Sequence, residues 1–370
     1  MKKNRVLMLN YEFPPLGGGG GVAAKKLAKG FIKNGYEVDY VTSWFKGLKK
    51  FEKVEGINVY RVRVIGRKDI STATMSSLVS FPFKAYRLAK LLCKKNRYQF
   101  INTHFAIPTG PLGVIISKKY KLKNILSIHG GDIYDPTKNS SPHKNLILRM
   151  LIKWVLNNSE VIVAQSTDTK SNAIKYYAPK KKIEIIPLPY EPYNFKKIAR
   201  EKLGLSKDLF YTISIGRLVK RKGFDFLIKS IAKIKNQKIH SIIIGDGPEK
   251  ENLLNLAKKL NMHNRIHILG NLSEEKKFQY LDNSNLYILS SVHEGFGIVL
   301  QEAMQVGLPI VSTGVGGQID LLDKENIIKF GDTESLKSKI LKIKKRKKYS
   351  LNKFKNKIIA KEYCKLKDEK

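Results

Sequence analysis

The sequence predicts an α/β protein built from two doubly wound, mostly parallel sheets. Three observations carry that expectation. Short apolar, β-branched runs alternate with longer stretches of helical periodicity along the whole chain. Those runs are apolar throughout instead of alternating, as strands covered on both faces are. Finally, 370 residues exceed what one hydrophobic core organises, and there are more such runs than one sheet needs.

In the first half the strand-like runs are RVLMLN, EVDYVTS, INVYRV, FINTH, NILSIHG, EVIVAQS and IEIIP. Helical spacing separates them, as in VAAKKLAKGFIKNG and SSPHKNLILRMLIKWVLNN. PLPYEPYN at 187–194 has three prolines in eight residues and can continue neither a helix nor a central strand. The second half resumes with FYTISIG, IHSIIIG, RIHILG, NLYILSS and PIVST. The expected domains are therefore 1–187 and 188–350. The charge run KIKKRKKYS reads as a solvated helix face over Lys344 to Lys348. A last helix in 351–370 is expected to pack back on the N-terminal domain.

Lys and Arg number 70 against 31 Asp and Glu, a formal net charge of +39, of which residues 1–190 carry +23. Such a field favours polyanionic partners: nucleic acid, anionic lipid or phosphorylated small molecules. A lysine-rich composition unrelated to binding would give the same number. Two cysteines, Cys93 and Cys364, lack metal or redox spacing, which suits a reducing compartment. Neither a signal peptide nor a run of spanning length is found, so a cytoplasmic protein is expected.

Several strand ends carry residues suited to chemistry. YEFPPLGGGGGVAAKKLAKGF places Gly17 to Gly21 between a strand and a helix, where backbone approaches a ligand and helix N–H groups meet an anion. A flexible surface loop would also tolerate five glycines; the strand-to-helix position favours a phosphate or substrate loop. No G-x-x-x-x-G-K-[ST] occurs, which excludes P-loop nucleotidases. In SIGRLVKRKGFDF, Arg217 and Lys222 follow a buried strand, where open sheets bind ligands. IIIGDGPEKENL and RIHILGNLS repeat the strand–glycine–helix grammar. EGFGIVLQE (294–302) reads as loop and helix start, with Gly295 and Gly297 in the loop and the helix beginning near Ile298. Glu294 and Glu302 then flank the positive end of a helix dipole beside free N–H groups. A nucleoside diphosphate sugar suits that place, with phosphate on the N–H groups and hydroxyls on the carboxylates. An acid in a first turn also complements the dipole, but that does not account for Glu294 and both glycines.

EGFGIVLQE followed by AMQVGLPIVSTGVGG resembles the donor-site signature of retaining glycosyltransferases of family four, which have the GT-B fold of two Rossmann-like domains facing across a cleft. GRLVKRKG, GDGP and YEFPPLGGGGGV stand in the family's order, and the resemblance spans nearly the whole chain. It implies that Arg217 and Lys222 bind the donor diphosphate and that Glu294 contacts the transferred sugar. Gly295, Phe296, Gly297 and Ile298 would offer backbone to hydroxyls and phosphate, and Glu302 would hold the ribose. The glycine loop would lie near the diphosphate and the acceptor, Gly18 and Gly19 on the donor side and Gly20 on the acceptor side; His104, ending the strand of FINTHFAIPTG, and Asp132, in HGGD, are read from their positions as acceptor-side residues. His129, in ILSIHGGD, matches the family's histidine facing the sugar. Ile319 and Asp320 stand where the family often has Pro and Glu.

The same resemblance implies retention by same-face attack. No Asp-x-Asp ends a strand, so no metal or other cofactor is expected. SSLVSFPFKAYRLAKLLCKKNRY (76–98) is a cationic amphipathic stretch, readable as an ordinary sheet-covering helix or as one lying on an anionic bilayer. The expectation is loose attachment to the cytosolic membrane face and a lipid-linked or cell-surface glycan acceptor. A sugar-nucleotide epimerase of the same fold is the nearest rival. A nucleic-acid-binding protein follows from charge alone and lacks a recognisable motif, so no specific nucleic acid is expected.

Overall fold

The computed structural model describes residues 4–70, 72–342 and 345–368. The chain divides into two compact units, one made of 1–191 with 352–370 and the other of 192–351.

The first unit runs β1 (Arg5–Leu9), α1 (Gly19–Lys33), β2 (Glu37–Trp44), β3 (Phe51–Val54), β4 (Ile57–Arg63), α2 (Met75–Lys95), β5 (Phe100–His104), α3 (Gly110–Tyr120), β6 (Lys123–Ile128), α4 (Leu146–Asn158), β7 (Val161–Ala164), α5 (Thr167–Tyr177) and β8 (Ile183–Ile185). The second runs β9 (Phe210–Ile215), α6 (Phe224–Ala232), β10 (Ile239–Ile244), α7 (Lys250–Lys259), β11 (Ile266–Ile268), α8 (Glu274–Asn283), β12 (Leu286–Leu289), α9 (Ile298–Gln305), β13 (Ile310–Ser312) and α10 (Thr333–Leu341). The final helix, α11 (Asn356–Leu366), belongs to the first unit.

The first sheet has the order β3-β4-β2-β1-β5-β6-β7-β8 and is parallel except for β3. Its strand order reverses between β1 and β5, so the ligand crevice of this unit lies outside the carboxyl ends of those two strands. The second sheet, β11-β10-β9-β12-β13, is wholly parallel and reverses between β9 and β12. Each sheet is covered on both faces, which is why its central strands are continuously buried, as Val6 to Leu9 and Tyr211 to Ile215 are.

Two elements differ from the sequence expectation. β3 pairs antiparallel with β4 across the turn Glu55–Gly56, both residues in the left-handed region. FEKV carries no apolar run, so nothing in its composition marked it as a strand. Residues 345–348 are exposed as expected, but 345–350 have no regular secondary structure and are not helical; Lys344 lies outside the described residues. This segment runs along the second unit. Arg346 donates to the Val306 and Ser284 carbonyls at 2.7 and 2.9 Å, and the Tyr349 hydroxyl to the Leu308 carbonyl at 2.9 Å. The guanidinium therefore caps the ends of two neighbouring elements, work a helix face would not do.

α11 packs on α1 at Gly30, where any Cβ would run into the Asn356 carbonyl oxygen and the Ala360 methyl. Tyr363 then reaches the core beside Phe31 and hydrogen-bonds Ser127 Oγ at 2.9 Å. Gly30→Val is expected to force the two helices apart and cost about 1–3 kcal/mol, the usual penalty for overpacking a close contact. Urea unfolding measures this, and limited proteolysis should cut within 352–370 sooner than in the wild type. Unchanged stability and cleavage would show that α11 docks without this contact.

Candidate active site

The polar groups of the first unit gather at its crevice. β1 leads to Glu12, whose half-buried carboxylate accepts the N–H groups of Gly18 and Gly21 at 3.1 and 3.2 Å. Burial pushes the Glu12 carboxyl up, opposed by those two N–H groups and by Arg67. The start of α1 is thus already satisfied in part from within. The Gly18 N–H expected at a donor phosphate is occupied, while Gly19 and Gly20, in the first turn, lack intrahelical partners. At Gly20 a Cβ would collide with the Phe105 ring.

Behind this loop a chain of hydrogen bonds links β5, β6 and β7. Gln165 Nε2 meets His129 Nδ1 at 2.5 Å, His129 Nε2 meets His104 Nδ1 at 2.9 Å, and His104 Nε2 meets Asn102 Oδ1 at 2.8 Å. Asn102 Nδ2 in turn donates to the Ile125 carbonyl at 3.0 Å and to Ser127 Oγ at 3.2 Å. The Ile125 carbonyl can only accept, so the Asn102 amide is fixed in orientation and its oxygen must receive a proton from His104 Nε2. His104 Nδ1 is then an acceptor, His129 donates through Nε2, and His129 Nδ1 accepts from Gln165. Both rings are neutral. Burial pushes His104 down to about 3 and holds His129, further disfavoured by His104, well below its ordinary value.

This geometry changes the part assigned to His129. Both of its ring nitrogens are engaged inside the protein, and Phe105 lies 4.4 Å from its ring centroid. What remains for a ligand is ring surface, not a proton-carrying nitrogen. Asp132 serves the backbone: its two oxygens accept the N–H groups of His129 at 2.9 Å and Ala106 at 2.6 Å. Burial still pushes its carboxyl up to about 6 against those bonds. His104 is a buried member of the relay and not a surface group.

In the second unit three loops meet at the carboxyl ends of β9, β12 and β13. Lys222 Nζ pairs with Glu294 Oε2 at 2.6 Å, and Ser291 Oγ donates to the same oxygen at 3.2 Å. Burial alone would raise the Glu294 carboxyl; the charges of Lys222 and Arg221 outweigh it and hold the group below its ordinary value. Gly223, at φ +61°, lets the Lys222 loop press against the Ser290 carbonyl. Gly316, at φ +69°, lets the GVGG turn lie on the Glu294 carbonyl, and the Gly317 N–H donates to that oxygen at 2.9 Å. Side chains at either position would separate the loops.

α9 begins at Ile298 with Gly297 as its left-handed N-cap and no side-chain cap. Gly295 and Phe296 lead into it, Phe296 buried and Arg217 exposed on the facing loop. Four residues into α9, Glu302 Oε1 pairs with Lys277 Nζ from α8 at 2.9 Å, and Lys277 also holds Glu274 at 2.9 Å. Burial would lower the Lys277 amine; Glu302 and Glu274 overcome it and raise it. The second Glu302 oxygen is buried with no hydrogen-bond partner. All the donor-side residues of the sequence thus sit around one loop cluster, except the glycines of the first unit, which form a separate cluster there. Glu12, Asn102, Gln165, Arg221 and Lys277 were missed. Only Glu12, two prolines ahead of the glycines, had a sequence signal. Among the described residues no group of three or more His, Cys, Asp or Glu is placed to hold a metal ion.

Two doubly wound sheets, each with polar loops at its point of reversal, define a nucleotide-binding type of architecture used by sugar-transferring enzymes. The family model for glycosyltransferase family 4 matches residues 17–192, and that for group 1 glycosyl transferases matches 195–361. The chain is 26% identical to N-acetyl-alpha-D-glucosaminyl L-malate synthase of Bacillus anthracis, over 90% of this chain and 86% of that one. It is similar in structure to sucrose-phosphate synthase from Thermosynechococcus elongatus, with a TM-score of 0.80, 18% identity and coverage of 99% and 94%. Anabaena HepE in complex with UDP and glucose gives a TM-score of 0.71, 18% identity and coverage of 98% and 94%. The chain belongs to glycosyltransferase family four, has the GT-B fold, and is a glycosyltransferase. These matches do not favour the epimerase or the nucleic-acid reading.

The neutral relay has a pH signature. A histidine whose folded value is depressed refuses a proton that the unfolded chain accepts, so its contribution is intact above about 6.5 and is lost as the pH falls toward about 3. His104→Gln removes one such group. Between those limits the wild type should lose stability more steeply than the variant, by about 1.4 kcal/mol per pH unit. Parallel slopes in urea titrations across this range would mean that His104 is protonated in the folded protein.

Proposed function

We propose that the enzyme moves a sugar from a nucleoside diphosphate sugar to a hydroxyl of a lipid-linked or cell-surface glycan, with retention and without a metal ion. The observation that carries the donor reading is the pair of buried carboxylates around an uncapped helix start. Glu294 is held ionised by Lys222, and Glu302 keeps one buried oxygen unpartnered. An acceptor oxygen buried without a donor is costly, and a ribose hydroxyl would satisfy it. The N–H groups at the start of α9 suit the diphosphate, with Arg217 and Lys222 adding positive charge. The HepE complex with UDP and glucose supports this ligand class.

In the transfer, the bond from the sugar anomeric carbon to the diphosphate oxygen breaks and a bond to the acceptor oxygen forms on the same face. The departing phosphate oxygen takes the acceptor's proton. Leaving-group charge is stabilised by Arg217, Lys222 and the helix start, so the positive groups of the chain do the work a bridging cation would otherwise do. Glu294 orients sugar hydroxyls. His129 shuttles no proton, since both of its ring nitrogens are engaged. The first unit takes the acceptor, and its basic excess suits work at an anionic membrane surface on the cytoplasmic side.

Thermal unfolding with UDP-, GDP-, ADP- and dTDP-sugars tests the donor site. One of them should stabilise the wild type, by about 2.7 kcal/mol at a hundredfold excess over Kd, and not Glu302→Ala. Stabilisation by none would sink the donor reading. With the donor known, an inverted anomeric proton in the NMR spectrum of the product would sink retention.

A further inference from the structure

Helices α2, α3 and α4 pack side by side on one face of the first sheet. Their outer surface is unusual in two independent ways. First, it is apolar where a surface helix is normally polar. α4 exposes Leu146, Ile147, Met150 and Trp154, with Ile147 77% and Met150 64% accessible. α2 exposes Met75, Val79 and Phe83, the last at 72%, and Ile115 of α3 stands exposed between the two helices. Second, the three helices contain nine lysines and arginines and no acidic residue. The acids flanking α4 are engaged elsewhere: Glu160 accepts the Asn124 N–H at 2.7 Å and Asp135 the Thr137 hydroxyl at 2.7 Å.

The topology places these apolar groups at the working end of the unit. The connections from β4 to β5, β5 to β6 and β6 to β7 all join parallel strands, so the helices run back against them. The first turns of α2 and α4 therefore stand toward the carboxyl edge of the sheet, the edge that carries Glu12 and the histidine relay. Met75 to Phe83 is about 12 Å of helix, as is Leu146 to Trp154. Lys94, Lys95, Lys118 and Lys119 lie at the opposite ends of α2 and α3.

We infer that this face docks on an anionic bilayer, with the first turns of α4 and α2 entering the acyl boundary and α4 as the principal insertion element. Apolar side chains flanked by cations match a layer of hydrocarbon under anionic phosphates. A second copy of the chain is the other occupant such a patch could take. It would bring nine further cations against these nine, with no acid on either side. Among the described residues no helix is long and apolar enough to cross a membrane, so the contact is peripheral. The inference rests on the proposed function for its purpose, since a lipid-linked acceptor would then present its head group at the carboxyl edge. The α2 stretch picked out by sequence supplies most of the charge, and α4 supplies the depth.

The chain has two tryptophans, Trp44 and Trp154. In a Trp44→Phe protein the emission of Trp154 reports on α4 alone. Vesicles of phosphatidylcholine mixed with phosphatidylglycerol should shift that emission to the blue, and acyl-brominated lipid should quench it. Phosphatidylcholine alone should do neither. Ile147→Asp and Met150→Asp alter exposed positions and should each weaken vesicle affinity by about tenfold or more while leaving the circular dichroism unchanged. Vesicle binding with unshifted Trp154 emission would overturn the insertion, leaving a charge contact only. A blue shift that grows with protein concentration in the absence of lipid would overturn it in favour of self-association. Stabilisation by a nucleotide sugar is read separately on the same proteins, so loss of the docking face and loss of the donor reading are told apart.

Discussion

The second unit depends on two inward-facing carboxylates, each tied to a lysine from another element. Glu294 stands under the GVGG turn and Glu302 inside α9, and each is met by a lysine: Lys222 holds the first below its ordinary value, and Lys277 pairs with the second at 2.9 Å. Removing one partner of a buried pair costs about 3–5 kcal/mol, because the other charge is left stranded. The pairs therefore fix the loops as well as the charges. Lys222 comes from the turn after β9, Glu294 from the turn after β12, and Lys277 from α8, so two ion pairs hold together elements far apart in sequence. Glycine at 223 and 316 allows the backbones to come close enough for the first pair to form. A hydrophobic replacement could hold the same loops. It would leave that place without carboxylate oxygens or an ammonium group.

The first unit relies mainly on neutral groups, with the Asp132 and Glu12 carboxylates bound to backbone N–H groups. Its crevice is lined from behind by amides, hydroxyls and neutral imidazoles, arranged so that every donor faces an acceptor from the Ile125 carbonyl to Gln165. Most of the charge sits outside, and the buried Asp39 and Arg61 are paired with Arg5 and Glu52. This division explains how a chain of +39 keeps an orderly interior. The positive field acts at the surface, where it is screened over about 8–10 Å, while the crevice is shaped by directional bonds. Near the sheet edge the Glu12 carboxylate lies across the start of α1 and takes two of the N–H groups an incoming anion would otherwise use. A helix start capped in this way is held open in shape and weakened as an anion site.

What could be read from sequence follows from the range of the interactions. Parallel, fully covered strands leave continuous apolar runs, so RVLML and FYTISI were legible, and EGFGIVLQE gave the start of α9 because Gly297 must turn left-handed before Ile298. Those signals are local. β3 was not legible: it is an edge strand with an alternating, partly exposed surface, and its pairing is set by the Glu55–Gly56 turn. The run at 345–350 was misassigned because lysine spacing alone does not separate a helix face from an irregular segment whose one arginine binds carbonyls. Lys277, Gln165 and Asn102 lay beyond reach for another reason. Each has a partner more than twenty residues away (Glu302, His129 and Ile125), and the local bonds of Lys277 and Asn102 to Glu274 and His104 do not reveal it.

The histidine relay shows why a residue named by resemblance still needs its surroundings. A histidine at a strand end beside two glycines and an aspartate looks like a group that handles protons. Its environment removes that capacity twice over: burial depresses its basicity, and a tautomer imposed from Asn102 occupies both nitrogens. The Ser127–Tyr363 bond extends the same network to α11, so the last helix of the chain braces the position of a ring at the crevice. Neither ring therefore brings positive charge to the crevice, and the part of His129 left accessible is an uncharged aromatic face.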